Sequence, residues 1–180
     1  MSDPFGQLDD LLTHVWGRLA RGARVSDDPF RFVTLATIGT DGPEARTVGL
    51  RAADRDAGTV EVHSDLRTAK VRALSRDPRA ALLLWDAAAQ LQVRLTLTMT
   101  LLPADPARWS TVPPSSRLNY GTDPAPGDTV DAPEDVTRTP EIERFIVLSG
   151  CVRVIDAVSL SHDPHRRAVF TGTVGHWVAP

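Results

Sequence analysis

The sequence predicts a mainly β fold with a few flanking helices, an antiparallel barrel or sandwich instead of a doubly wound parallel sheet. Three observations carry this. Segments of alternating or continuous apolar character follow one another from RFVTLATI to the closing RAVFTGTVGHWVAP. Short turn signals separate several of them, DG at Asp41 and Gly42 and DAG ending at Gly58. Helical spacing is confined to the start of the chain and to short pieces further on. At 180 residues with 42% hydrophobic composition, one core suffices and a single domain over residues 1–180 is expected.

In order along the chain, Leu8, Leu11, Leu12, Val15, Trp16 and Leu19 recur at three- and four-residue steps. They give an amphipathic helix within residues 1–24 that ends near Gly22. After SDDPF come the strands RFVTLATI, PEARTVGLRAAD and TVEVHS. Ser64 or Asp65 then caps a helix that runs to about Arg76, where RDP stops it. RAALLLWD reads as a buried strand, and QLQVRLTLTMTLLP alternates so regularly that one of its faces is covered. A short helix is expected around DPARWSTV. Residues 113–140 form a Pro/Gly-rich loop, which in a compact domain is a lid, a partner arm or a disordered segment. RFIVLSGCVRVIDAVSL and RAVFTGTVGHWVAP return to strands.

Charge narrows the function classes. The 20 Lys+Arg residues against 23 Asp+Glu leave a net charge of −3 and no global positive field to draw nucleic acid. No polybasic tail or long apolar span points to a membrane. Asp3, Asp9 and Asp10 stand where a secretory leader needs basic and then unbroken apolar residues, so a cytoplasmic location is expected. Cys151 is alone and cannot form an internal disulfide; a small buried hydrophobe suits its apolar surroundings better than a nucleophile. The five histidines lack partners at zinc intervals, and no metal site is expected.

The basic residues raise one question of chemistry: all are arginine except Lys70, in HSDLRTAKVRAL. Arg67 and Lys70 are three apart and share a helix face near its start. Backbone N–H groups and the hydroxyls of Ser64 and Thr68 would there supply donors to a phosphate, which a compact ammonium suits better than a wide guanidinium fork. The same pattern fits a solvated helix face that happens to hold one lysine. Upstream, EARTVGLR sends Arg46 and Arg51 to opposite faces of a strand unless Gly49 permits a bulge. Gln92 puts an amide into an apolar strand, where it either meets a heterocyclic ligand or sits at the exposed mouth.

In this order the segments RTVGLR, HSDLRTAK, QVR and HRRAVF…WVAP resemble the FMN-binding split-barrel superfamily, and within it the pyridoxamine 5′-phosphate oxidase-like proteins. The resemblance runs from about Phe32 to Pro180 and is weakest across the Pro/Gly-rich loop. It implies a split β-barrel with Greek-key order, bound FMN, and a homodimer with FMN between the subunits. Arg46, Thr47, Val48, Gly49, Leu50 and Arg51 match the strand that binds the flavin and its phosphate. His63 and Ser64 fall where the next strand ends against the cofactor, and Arg67 belongs to the same phosphate-binding segment. Thr68 and Lys70 match the hydroxyl and lysine that hold the phosphate, Gln92 a glutamine that reaches the flavin, and Arg167 a C-terminal arginine that contacts FMN.

Departures fall on the substrate side. The family's Arg-x-His-x-Arg motif reads Asp163, Pro164, His165, Arg166, Arg167, with an acid in place of the first arginine. The loop motif of Tyr, Arg and Ser is retained only at Arg117, with Pro113 and Gly121 beside it. His63 replaces a more usual aromatic residue. Arg117 and His165 remain as substrate-contact candidates. The resemblance therefore implies an FMN-dependent oxidoreductase acting on a small molecule other than pyridoxamine phosphate. Two alternatives stand beside it: a flavin-binding or sensing module without turnover, and a split barrel that binds haem or a deazaflavin.

Overall fold

The computed structural model describes residues 3–180. Helix α1 spans Leu8–Arg24 and buries Leu11, Leu12, Val15, Trp16, Leu19 and Gly22, as its spacing requires. Three strands follow as a meander: β1 (Phe32–Ile38), β2 (Pro43–Asp54) and β3 (Thr59–Asp65). Helix α2 (Ala69–Arg76) leads to β4 (Arg79–Asp86) and β5 (Leu91–Leu102). Short helices α3 (Pro106–Thr111) and α4 (Pro114–Arg117) precede a two-strand ribbon of β6 (Thr122–Asp123) and β7 (Thr137–Arg138). The long β8 (Phe145–Ser159), β9 (Arg166–Thr171) and β10 (Val174–Val178) complete the chain.

All pairings are antiparallel, and β8 pairs with both β3 and β5. Six strands therefore close into a barrel in the order β1, β2, β3, β8, β5, β4, with β9 and β10 extending the sheet from β8. Closure removes the free edges that an open antiparallel sheet exposes. The inward residues of each strand, such as Val33 and Leu35 of β1 or Val93, Leu95 and Leu97 of β5, form one core with the apolar stripe of α1. A smaller cluster of Val112, Tyr120, Phe145 and Val147 lies under α3 and the ribbon.

Gly22 is the close-approach point of α1. A Cβ there would stand 2.6 Å from Cβ of Phe30, itself fully buried. The helix is also pinned by charge. Asp28, buried, accepts from the Phe30 N–H at 2.8 Å and from Arg21 Nε at 2.8 Å, while Arg18 bridges to Asp86 at 2.7 Å and lies over the Phe30 ring.

Three expectations need correction. Ser64 and Asp65 do not cap α2: both still belong to β3, so the helix starts at Ala69 with Thr68 in the N-cap place, its hydroxyl donating to the Asp65 carbonyl at 2.9 Å. RAALLLWD is not buried on both faces; Leu83 and Trp85 are 40% and 45% exposed because the outer face of the barrel lies uncovered in the single chain. Residues 113–140 contain α4 and the ribbon and are not a structureless loop.

Candidate functional site

A cleft of about 490 Å³ opens where β2, the end of β3 and the start of α2 meet the ribbon. Its floor is Arg46, Thr47, Val48 and Gly49 of β2 with His63, Ser64 and Asp65 of β3. Thr68 and Lys70 close one end. Asn119, Tyr120, Thr122 and residues 124–128, with Val130 and Val136, form the roof. Residues 119–136 thus fold over the site as a lid, a placement that Pro/Gly-rich sequence carries no period to reveal.

Three polar groups converge at the α2 end. Lys70 Nζ donates to Ser64 Oγ at 3.1 Å, and the Ser64 and Thr68 hydroxyls are 3.0 Å apart. Burial, and then the nearby Arg46 charge, lower the Lys70 pKa from its ordinary value. No carboxylate forms an ion pair with Lys70 among the described residues. Asp65 is close, but its carboxylate is fully engaged by Arg67, accepting from the backbone N–H at 2.9 Å, Nε at 3.0 Å and Nη2 at 2.7 Å. Burial alone would raise the Asp65 pKa; the Arg67 bonds outweigh it and hold the carboxyl below its usual range.

Behind His63 and Tyr120, which line the cleft, lies an aromatic cluster. His63 meets Phe145 edge-on at 4.8 Å, and Phe145 packs against Tyr120 and Trp109. Burial, followed by the Arg51, Arg108 and Arg31 charges, lowers the His63 pKa to about 4, so the imidazole is neutral at neutral pH. An unfolded histidine protonates near 6.5, so the folded state loses stability as pH falls from about 6.5 toward 4. With solvent screening of this part-exposed site, the loss is on the order of 2 kcal/mol. His63→Phe should flatten that limb, and urea midpoints measured at pH 7, 5.5 and 4 check it.

The structure does not gather every residue that the sequence nominates. Arg46 lines the cleft, yet its guanidinium bonds Glu44 at 2.6 Å and Thr37 Oγ1 at 2.6 Å. Leu50 has its side chain in the core; its N–H donates to Arg31 O and its carbonyl accepts from Arg31 Nη1, so it is structural within this chain. The Arg51 guanidinium lies over Gly49, where a Cβ would stand 2.9 Å from its Cζ. Arg67 sits in the turn before α2 and is turned away to Asp65 and the Thr122 carbonyl. Arg117 holds Val112 O and Ser110 O.

Gln92, Arg167 and His165 lie apart from this cleft. Trp85, Gln92, Val158 and Arg167 stand in one cross-strand row on the outer face of β4, β5, β8 and β9. Asp156 fixes Arg167 with two bonds at 2.9 and 2.8 Å and also accepts from Arg94 at 2.6 Å. His165 borders a second cleft with Phe5, Arg166, Arg167 and Trp177. Sequence reasoning missed Asn119, Tyr120 and Thr122. Thr122 carries a signal only the fold can give: its Oγ1 is buried without a hydrogen-bond partner, alone in this among the described residues.

Lys70, without an ion-pair partner among the described residues, and the neighbouring hydroxyls of Ser64 and Thr68, which donate to the Asp65 carbonyl at 3.1 and 2.9 Å, form a polar cluster whose chemistry fits a phosphate ester. The family model for the pyridoxamine 5′-phosphate oxidase FMN-binding domain matches residues 14–103. No curated protein matches the chain. A pyridoxamine 5′-phosphate oxidase-related, FMN-binding protein from Nostoc punctiforme is 22% identical, with a TM-score of 0.74 over 93% of this chain and 96% of its own. PhzG from Burkholderia lata, solved with tetrahydrophenazine-1-carboxylic acid, is 20% identical, with a TM-score of 0.74 over 100% of this chain and 98% of its own. A haem-binding protein from Mycobacterium smegmatis is 21% identical, with a TM-score of 0.51 over 86% of this chain and 58% of its own. At these identities the likeness is one of fold. No helix among the described residues is long and apolar enough to cross a membrane.

Proposed function

We propose a flavin-dependent role for this chain, which belongs to the pyridoxamine 5′-phosphate oxidase FMN-binding domain family. The cofactor is FMN, and the activity is transfer of a hydride between a small molecule and the flavin ring, in the cytoplasm. The observation that carries this reading is Lys70, half-buried beside the Ser64 hydroxyl and in no ion pair among the described residues. A phosphate dianion there supplies the counter-charge and the acceptors that the amine lacks.

When bound, FMN supplies the redox chemistry, and the protein supplies placement and exclusion of water. Lys70, Ser64 and Thr68 hold the phosphate. Gly49, with no side chain, lets the Arg51 guanidinium fold back over the β2 floor, and residues 119–136 face it across the cleft. His63, neutral at working pH, offers a hydrogen-bond donor and an acceptor without adding charge.

The functional unit is a homodimer. Phe32, Leu83 and Trp85 are exposed on the outer face of the barrel, in the neighbourhood of the row that carries Gln92 and Arg167. An apolar patch of this kind on a sheet face favours burial against a second copy. That copy would bring Gln92 and Arg167 to a cleft they do not reach within their own chain. Asp163 in place of an arginine supports a substrate other than pyridoxamine phosphate.

A native mass measurement with an absorbance spectrum of FMN-loaded protein tests the assignment. Two chains with two FMN are expected. A monomer, or a haem-type band in protein supplied with both groups, would overturn it. Aerobic assay with pyridoxamine phosphate should give negligible turnover, and Asp163→Arg should increase affinity for phosphorylated ligands; brisk wild-type turnover would contradict the role given to Asp163.

A further inference from the structure

A carboxylate already bound to an arginine competes with any anion that approaches the same guanidinium. Arg46 lines the cleft beside Lys70, whose pKa is lowered by burial and then by the Arg46 charge. Its two terminal nitrogens are held differently. Nη1 donates to neutral oxygens alone, to Thr37 Oγ1 at 2.6 Å and to the Leu35 and Glu44 carbonyls at 3.3 Å each. Nη2 donates to the Glu44 carboxylate at 2.6 Å, and no other carboxylate pairs with Arg46 among the described residues.

The β1–β2 hairpin is shaped around that carboxylate. Glu44 stands opposite Thr37 and Arg46 opposite Leu35, so the ladder fixes both backbones. A Cβ on Gly39 would fall 2.3 Å from Glu44 Oε1, so the turn leaves the carboxylate its place. The Glu44 side chain is 41% exposed and that of Arg46 only 23%. Glu44 can therefore swing into water at little cost, while the Nη1 bonds keep the guanidinium where it is.

We propose that Glu44 is a resident competitor for the phosphate: it occupies Arg46 Nη2 in the empty cleft, yields it when the ester binds beside Lys70, and so sets the affinity of the site. This rests on the FMN reading above. The two cations then play unequal parts. Lys70 has no carboxylate to give up and takes the ester directly, whereas Arg46 exchanges one anion for another and contributes only the difference between them.

The test titrates full-length wild type, Glu44→Gln, Arg46→Ala and the double variant with FMN and with riboflavin at low salt, following flavin fluorescence. Glutamine keeps the length of the side chain and removes its charge. FMN affinity should rise about two- to fivefold in Glu44→Gln, the span for a part-exposed ion pair. Most of that gain should be lost when Arg46 is alanine, as a double-mutant cycle reads directly. Riboflavin, which lacks the ester, should bind wild type and Glu44→Gln alike. An FMN affinity that is equal or lower in Glu44→Gln overturns the proposal, and so does a gain that is undiminished without Arg46 or equally large for riboflavin. Failure of the wild type to bind FMN overturns the flavin reading itself, a separate outcome.

Discussion

Lys70→Ala should weaken FMN binding about ten- to a hundredfold, the largest effect expected from any single change in the cleft. The amine makes a charge-assisted contact in a half-buried place, and such contacts carry about 1.5–3 kcal/mol. Arg46→Ala should cost less, because Glu44 already neutralises that guanidinium and Thr37 holds it. The apo-protein tells a separate story. Burial depresses the Lys70 pKa, so the charged amine is held at some cost that truncation relieves. The urea midpoint of apo Lys70→Ala should therefore lie close to wild type. Fluorescence titration with FMN and denaturation without it separate the two. Unchanged FMN affinity in this variant would remove the basis for the phosphate site.

The largest effect on stability is expected at Asp28, far from the cleft. Asp28→Ala should cost about 3 kcal/mol, as when one partner is removed from a buried, hydrogen-bonded ion pair. The Phe30 N–H loses its acceptor, and Arg18 and Arg21 lose a shared counter-charge beside a fully buried ring. For a chain of this size that corresponds to a fall of about 6–12 °C in Tm. Most of the loss should come from the buried Phe30 amide, since the Arg21 side chain is 65% exposed with its pair screened, and Arg18 keeps Asp86 at 2.7 Å. Asp28→Asn keeps an oxygen for the Phe30 N–H and should lose distinctly less. Equal Tm values for wild type and Asp28→Ala would show that α1 is held by its apolar face alone.

The strands were legible because alternation is a local property. β1, β3 and β5 each announce their inward residues every second position, and α1 its stripe every third or fourth. The cluster of Ser64, Thr68 and Lys70 was also legible, since the three lie within seven residues of one another along the chain. What local pattern cannot reveal is a long-range contact. Arg67 reads as a phosphate ligand by its spacing from Lys70, yet Asp65 two residues earlier is the nearer and stronger partner. Ser64 and Asp65 look like caps, but pairing with Ile146 and Phe145 keeps them in β3. Leu50 belongs to a binding motif by position and to the core by packing. Thr122 and Tyr120 reach the cleft through a fold of the lid that proline and glycine permit without signalling.

The arginine bias of the chain leaves Lys70 as its sole side-chain amine. Reagents that acylate or reductively alkylate ε-amino groups therefore have one internal target. Its lowered pKa raises the share of the neutral, nucleophilic form, while partial enclosure slows the reagent's approach. Once the α-amino group is blocked or left unlabelled by the choice of pH, wild-type protein can thus carry a single side-chain dye in the wall of its own cleft, without an engineered cysteine or tag. Protection of that one amine reports directly on whatever occupies the space around it.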